Sequence, residues 1–104
     1  MNWVDGFALW AEAKLAWSYK TFGKAERAEG VCQHIESELA EIRADPYDVE
    51  EWADVILLAI DGACRSGNTP RMVTEAMIEK QKKNVARNWP PISKENKPTF
   101  HISD

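Results

Sequence analysis

Residues 51–61 read EWADVILLAID, and the fold turns on how this stretch is read. From Asp54 to Cys64, every residue besides Asp54 and Asp61 is apolar or glycine. At about 100° per residue, Trp52, Val55, Ile56, Ala59, Ile60 and Ala63 make one wide stripe. Leu57 and Leu58 flank the two aspartates on the other side. A helix of this composition has no solvated face and is expected to lie buried on both sides. A buried carboxylate persists only when it is hydrogen-bonded, paired with a cation or bound to metal, because stripping its hydration costs several kcal/mol. The rest of the chain has to supply that positive partner.

Immediately upstream, Val31, Ile35, Leu39 and Ile42 recur at helical spacing, which predicts a helix over about 25–44. Asp45 as N-cap and Pro46 as first helical residue then start the apolar helix, which runs to about Ser66 and stops at Gly67. So short a turn makes the two helices antiparallel, and residues equidistant from it lie at one height. With Pro46 as centre, Glu41 is level with Glu51, and Glu38 with Asp54. Within each helix the pairs are three residues apart and share a face, as ExxE and ExxD. Four facing carboxylates are hard oxygen ligands suited to Mg²⁺ or Mn²⁺.

Charge distribution supports the same reading. Nine of the 17 acidic residues fall between Glu36 and Asp61, where Arg43 is the single base. Like charges so gathered cost stability unless counter-ions occupy the cluster. Asp61, two turns beyond Asp54, is placed to orient a metal-bound water, to join the ligands or to pair with a base, and Glu50 adjoins the set. His34, one turn before Glu38, reads as a hydrogen-bonding or packing residue. The competing reading, a solvated acidic face, accounts for ELAEI alone but not for aspartates set among leucines and isoleucines.

The remaining segments are also helical, without strand-like alternation. A first helix over about 4–20 offers Phe7, Trp10, Leu15 and Trp17 to the core and breaks at Gly23. A fourth over about 70–88 starts with Thr69 as cap and Pro70. Its core-facing stripe of Val73, Ala76 and Met77 continues into Lys80, Asn84 and Arg87, so the face turns cationic and suits phosphate oxygens. After Trp89 the chain carries three of its five prolines and reads as an extended tail. The expected organisation is therefore an all-α, four-helix domain over 1–90 with a central antiparallel hairpin, and a tail over 91–104.

With 104 residues, 44% of them apolar, and five tryptophans, the chain is globular with one modest core, expected to be completed between subunits. No apolar run reaches membrane-spanning length, and MNWVDGFALW lacks the basic start of a signal peptide, so a cytosolic protein is expected. Cys32 and Cys64 fit neither a zinc spacing nor a CxxC pair and read as reduced core thiols. The net charge of −4 gives no reason to expect nucleic-acid binding.

ELAEI followed by EEWADVILLAIDGA resembles the ExxE and ExxD signature of the MazG-like all-α nucleoside triphosphate pyrophosphohydrolases. WSYKTFG, then Arg27 and Gly30-Val31 with HIESELAEI, and finally KQKKNVARNWP are similar to the short, often phage-encoded dATP/dGTP diphosphohydrolase branch of that superfamily. The likeness covers about residues 10–90 and departs from the wider group in the nine residues between Glu41 and Glu51, a shorter gap than usual. The resemblance implies hydrolysis of a purine nucleoside triphosphate, dGTP or dATP, to the monophosphate and pyrophosphate. By matching position, Glu38, Glu41, Glu51 and Asp54 are the implied metal ligands and Lys80, Asn84 and Arg87 the implied phosphate contacts. Homodimers or homotetramers are implied, acting in the host cytoplasm if the chain is phage-encoded.

That chemistry needs a metal, cations and a proton acceptor, and the hairpin provides carboxylates for the last, Glu38 or Glu41. Trp17, Ser18 and Phe22, at the exit of the first helix, are candidates for the base. The alternative is a non-catalytic acidic helical protein, either nucleotide-binding or a phage adaptor.

Overall fold

The computed structural model describes residues 2–102. Four helices follow in order: α1 Trp3–Phe22, α2 Ala28–Ala44, α3 Val49–Arg65 and α4 Pro70–Ala86. Local capping accounts for their ends. Asn2 Oδ1 accepts from Asp5 N at 2.9 Å to start α1, and Gly23, at φ 86°, lets the chain leave α1 while its N–H still bonds the Tyr19 carbonyl. Thr69 Oγ1 accepts from Met72 N at 3.1 Å, with Pro70 in the first turn of α4.

One boundary differs from the expected one. The N-cap of α3 is Asp48, whose Oδ1 accepts from Glu50 N at 3.0 Å. Asp45 ends α2 instead, its carboxylate accepting from Tyr47 N at 3.3 Å. The reason is geometric: two helices reverse direction only through a few non-helical residues, and starting α3 at Pro46 leaves too few. Trp52 Nε1 donates to the Pro46 carbonyl at 3.0 Å and fastens the resulting turn.

α3 is the centre of the assembly. It packs along α2 and also touches α1 and α4, while α1 pairs with α4. Arg71 of α4 meets Asp5 of α1 at 2.6 Å. Among the described residues α1 and α2 do not pack on each other. The core lies at the C-terminal half of α3, where Ala11, Ile60 and Cys64 are buried beneath Phe7, Leu15 and Val73. Gly62 lets α2 approach, since a Cβ there lies 2.9 Å from Val31 Cγ1.

A core this small leaves several expected core residues outside it. None of the five tryptophans is buried in the single chain; Trp17 is 59% and Trp52 50% exposed. Ile56 is 56% exposed and Asp54 is also at the surface, so α3 is not covered on both sides as its composition suggests. The physical reason is coverage: α1 and α4 cap only the C-terminal half of α3. Cys32 is exposed, and only Cys64 is a core thiol. In α4 the buried residues are Pro70 and Thr74, not Ala76 or Met77; the Thr74 hydroxyl donates to the Pro70 carbonyl at 2.8 Å, which makes its burial tolerable.

Beyond α4 the described residues hold no further helix. Trp89 Nε1 donates to the Asn84 carbonyl at 2.7 Å. Ile102 N donates to the Asn88 carbonyl at 2.8 Å, and the His101 ring meets Trp89 edge-on at 6.0 Å, so the tail closes back on its own beginning. No helix among the described residues is long and apolar enough to cross a membrane.

Candidate active site

The antiparallel hairpin brings together three of the four carboxylates read from the ExxE and ExxD pairs. One oxygen each from Glu38, Glu41 and Glu51 lies within 4.8 Å of the others. Glu38 is 9% exposed despite its charge. Oε2 of Glu38 and Oε2 of Glu51 are both buried without a hydrogen-bond donor among the described residues. The other oxygen of Glu38 has His34 Nε2 at 3.4 Å, one turn earlier on α2.

Crowding shows in the titration. The Glu51 carboxyl is pushed up to about 7, first by a hydrogen bond shared with the Glu41 carboxyl, then by burial and by the charges of Glu41, Glu38 and Asp48. Glu38 is raised above the usual carboxylate range by burial, by its hydrogen bond with Glu41, and by the Glu41 and Asp54 charges. The Glu41 carboxylate disfavours the ionisation of both Glu38 and Glu51. A hard divalent cation is the natural substitute for the shared protons: the donors are all carboxylate oxygens, and two point inward without a partner. The residues present therefore fit Mg²⁺ or Mn²⁺.

Glu38 and Asp54 also line a cavity of about 630 Å³ that runs along the hairpin. Leu57 and Leu58 supply its apolar side, and Trp17, Phe22 and Arg27 line it too. Eleven positions of α2 separate Glu38 from Arg27, about 16 Å along a helix axis. The cavity thus has an acidic end and an aromatic, cationic end. At the latter, Trp17 and Phe22 meet edge-on with centroids 5.6 Å apart, and the Arg27 guanidinium lies 5.8 Å from the Phe22 ring.

The other expected site residues are divided between this cavity and other places. Lys80 and Asn84 line a separate cavity of about 510 Å³ with Met72 and Met77, so a single chain does not bring them to the carboxylates. Arg87 Nη1 donates to Asn84 Oδ1 at 3.3 Å. Glu50 is exposed at the start of α3. Asp61 takes the third of its expected roles, pairing with a base: Arg65 Nε donates to Asp61 Oδ2 at 2.9 Å. Ser18 is buried, and its hydroxyl donates to Asp61 Oδ1 at 2.6 Å, while both residues also line the 630 Å³ cavity.

The sequence gives no site role to Arg65, Arg27, Lys14 or Trp10, the last three of which line the 630 Å³ cavity. A signal for Arg65 was present: it follows Asp61 by four residues on an otherwise apolar helix. Arg27 belongs to the blocks that carry the family resemblance without a role attached to it, and Lys14 sits outside any motif.

Fold and site together define an all-α protein with a carboxylate cluster suited to a hard divalent cation at one end of an elongated, aromatic-lined cavity. The dATP/dGTP pyrophosphohydrolase family model matches residues 3–104, and the chain belongs to that family. It is also 43% identical over 61 residues, 59% of its length, to the Eaa protein of Salmonella phage P22. The match takes in only 19% of Eaa, so the chain spans about a fifth of that relative. No solved structure matches.

Proposed function

We propose that the chain hydrolyses a purine deoxynucleoside triphosphate, dATP or dGTP, to the monophosphate and pyrophosphate with Mg²⁺ or Mn²⁺. The observation that carries this reading is the pair of buried, donorless carboxylate oxygens on Glu38 and Glu51, with Glu38 opening onto the aromatic-lined cavity. Membership of the dATP/dGTP pyrophosphohydrolase family supplies the substrate class.

Glu38, Glu41, Glu51 and Asp54 hold the cation in this reading. When bound, such a cation supplies charge neutralisation for the triphosphate and a lowered pKa for water. Glu38 or Glu41 accepts the proton of the attacking water, since both lie in the cluster. Trp17 and Phe22 offer rings against the purine. Lys14 and Arg27, which have no carboxylate partner among the described residues, add positive charge to the same cavity.

Lys80, Asn84 and Arg87 keep a phosphate role only if α4 of a second copy presents them to this cavity. Trp52 and Ile56 on α3 and Met72 and Met77 on α4 leave apolar surface for such a homodimer or homotetramer. A deoxynucleotide substrate and a phage relative fit action in a host cytoplasm.

The test is product analysis by anion-exchange chromatography after incubation with each common dNTP and NTP, in Mg²⁺, in Mn²⁺ and in chelator. Metal-dependent release of a deoxynucleoside monophosphate and pyrophosphate in equal amounts is expected, fastest with dATP or dGTP. Release of inorganic phosphate, or equal turnover in chelator, overturns the assignment.

A further inference from the structure

The α1–α2 linker joins Phe22, the last residue of α1, to Arg27, and both line the aromatic end of the cavity. Residues 20–30 are all exposed, and α1 and α2 do not pack on each other among the described residues. The long-range hydrogen bonds of the linker among the described residues come from one side chain of α3. The Arg65 side chain is completely buried. Its Nη1 donates to the carbonyls of Gly23 at 2.7 Å and Ala25 at 3.0 Å. Its Nη2 donates to Ser18 Oγ at 2.9 Å and to the Ser18 carbonyl at 3.4 Å. Nε is taken by Asp61, and the guanidinium lies 5.1 Å from the Tyr19 ring.

Every nitrogen of the fork is therefore used, and three of its acceptors are backbone carbonyls. A buried ion pair is a poor way to gain stability, because desolvation offsets most of its attraction and an apolar side chain serves as well. It is a good way to fix geometry, because a planar fork accepts one arrangement of acceptors. The clamped carbonyls of Ser18, Gly23 and Ala25 lie within one or two positions of Trp17, Phe22 and Arg27, three residues that line the cavity.

We propose that Arg65, supported by Asp61 and Ser18, is a positioning residue that holds the Trp17–Phe22–Arg27 wall in place for the nucleoside, and so sets nucleotide affinity without touching the ligand. The inference rests on the reading of this cavity as the nucleotide site. It gives the clamp a consequence at one end of the cavity only, because the carboxylate cluster lies about 16 Å away along α2.

Arg65→Lys keeps the charge opposite Asp61 but loses the fork. Expected results are a KM for dATP or dGTP raised about tenfold or more with kcat within about threefold, weaker binding of dAMP or dGMP, and faster deuterium uptake over residues 20–30. Mn²⁺ binding, followed by paramagnetic titration, and inorganic triphosphate binding in Mn²⁺ stay as in the wild type. If Arg65→Lys does not fold, Ser18→Ala, which leaves the Arg65–Asp61 pair intact, is expected to shift KM and deuterium uptake in the same direction by a smaller factor. A variant whose kcat and Mn²⁺ affinity fall while KM is unchanged overturns the proposal and makes the clamp a feature of the fold alone. Wild-type protein that binds no deoxynucleotide overturns the functional reading beneath it, whereas wild-type binding with an unchanged KM in Arg65→Lys overturns this inference alone.

Discussion

Asp54 and Asp61 lie two turns apart on one helix, and the protein treats them in opposite ways. Asp61 sits at the covered end of α3, with both carboxylate oxygens engaged by Ser18 and Arg65. Asp54 sits at the uncovered end, with no cation against it among the described residues; its charge instead raises Glu38 across the hairpin. An acid satisfied from within the chain does structural work. Acids that face one another across the hairpin keep buried oxygens without donors among the described residues, and on these the proposed cation site rests.

The sharpest test of this contrast is Asp54→Asn. It is expected to lower kcat by about 10³-fold or more, the scale of losing a group that acts at the reacting centre, while the melting temperature of the metal-free protein stays level or rises as like-charge repulsion falls. Turnover by anion exchange and thermal unfolding in chelator check the two halves. A large loss of metal-free stability makes Asp54 a structural acid like Asp61 and ends the comparison.

Asp61→Asn is expected to do the reverse. Leaving Arg65 buried and short of its counter-charge costs about 3 kcal/mol or more in denaturant unfolding, and Mn²⁺ affinity per folded molecule is unchanged. A loss of Mn²⁺ binding in the folded fraction returns Asp61 to the metal site. Gly62→Ala, beside Asp61, probes the close approach that keeps the hairpin in register. The added Cβ meets Val31 Cγ1 at 2.9 Å, so overpacking of about 1–3 kcal/mol outweighs the helix-propensity gain of about 1 kcal/mol. A net stabilisation in urea shows that Val31 yields freely.

The smallest effect is in pH. Glu51 and Glu38 are raised in the folded protein from an ordinary value of 4.5, Glu51 to about 7. The folded form therefore holds protons that the unfolded chain releases. This contribution to stability is complete below about 4.5 and is lost as pH rises through about 7. A divalent cation that replaces those protons removes the decline, so the rise in Tm on adding Mn²⁺ is expected to be larger at pH 8 than at pH 6. An Mn²⁺ shift independent of pH argues against Glu38 and Glu51 as ligands.

Much of this was legible before any coordinates. The four helices follow from apolar spacing, and Thr69–Pro70, Gly23 and Gly67 mark their ends where expected. The grouping of Glu38, Glu41 and Glu51 follows from a short turn and a three-residue spacing. Asp45 was the wrong cap because Asp45 and Asp48 offer the same side chain and only the reversal of the chain chooses between them. The tryptophans were misplaced because apolarity says that a residue prefers cover, not that the single chain provides it.

The local pattern of this sequence determined the helices, their hairpin and the carboxylate cluster, because each depends on residues a few positions apart. Tertiary structure alone decided that Lys80 and Asn84 share a cavity apart from the carboxylates, and that Arg65 reaches Gly23 and Ala25. Those contacts join segments about 40 residues apart, and the acceptors of Arg65 are backbone carbonyls. Every residue carries that group, so no side-chain pattern in the sequence can announce which ones a buried guanidinium will find.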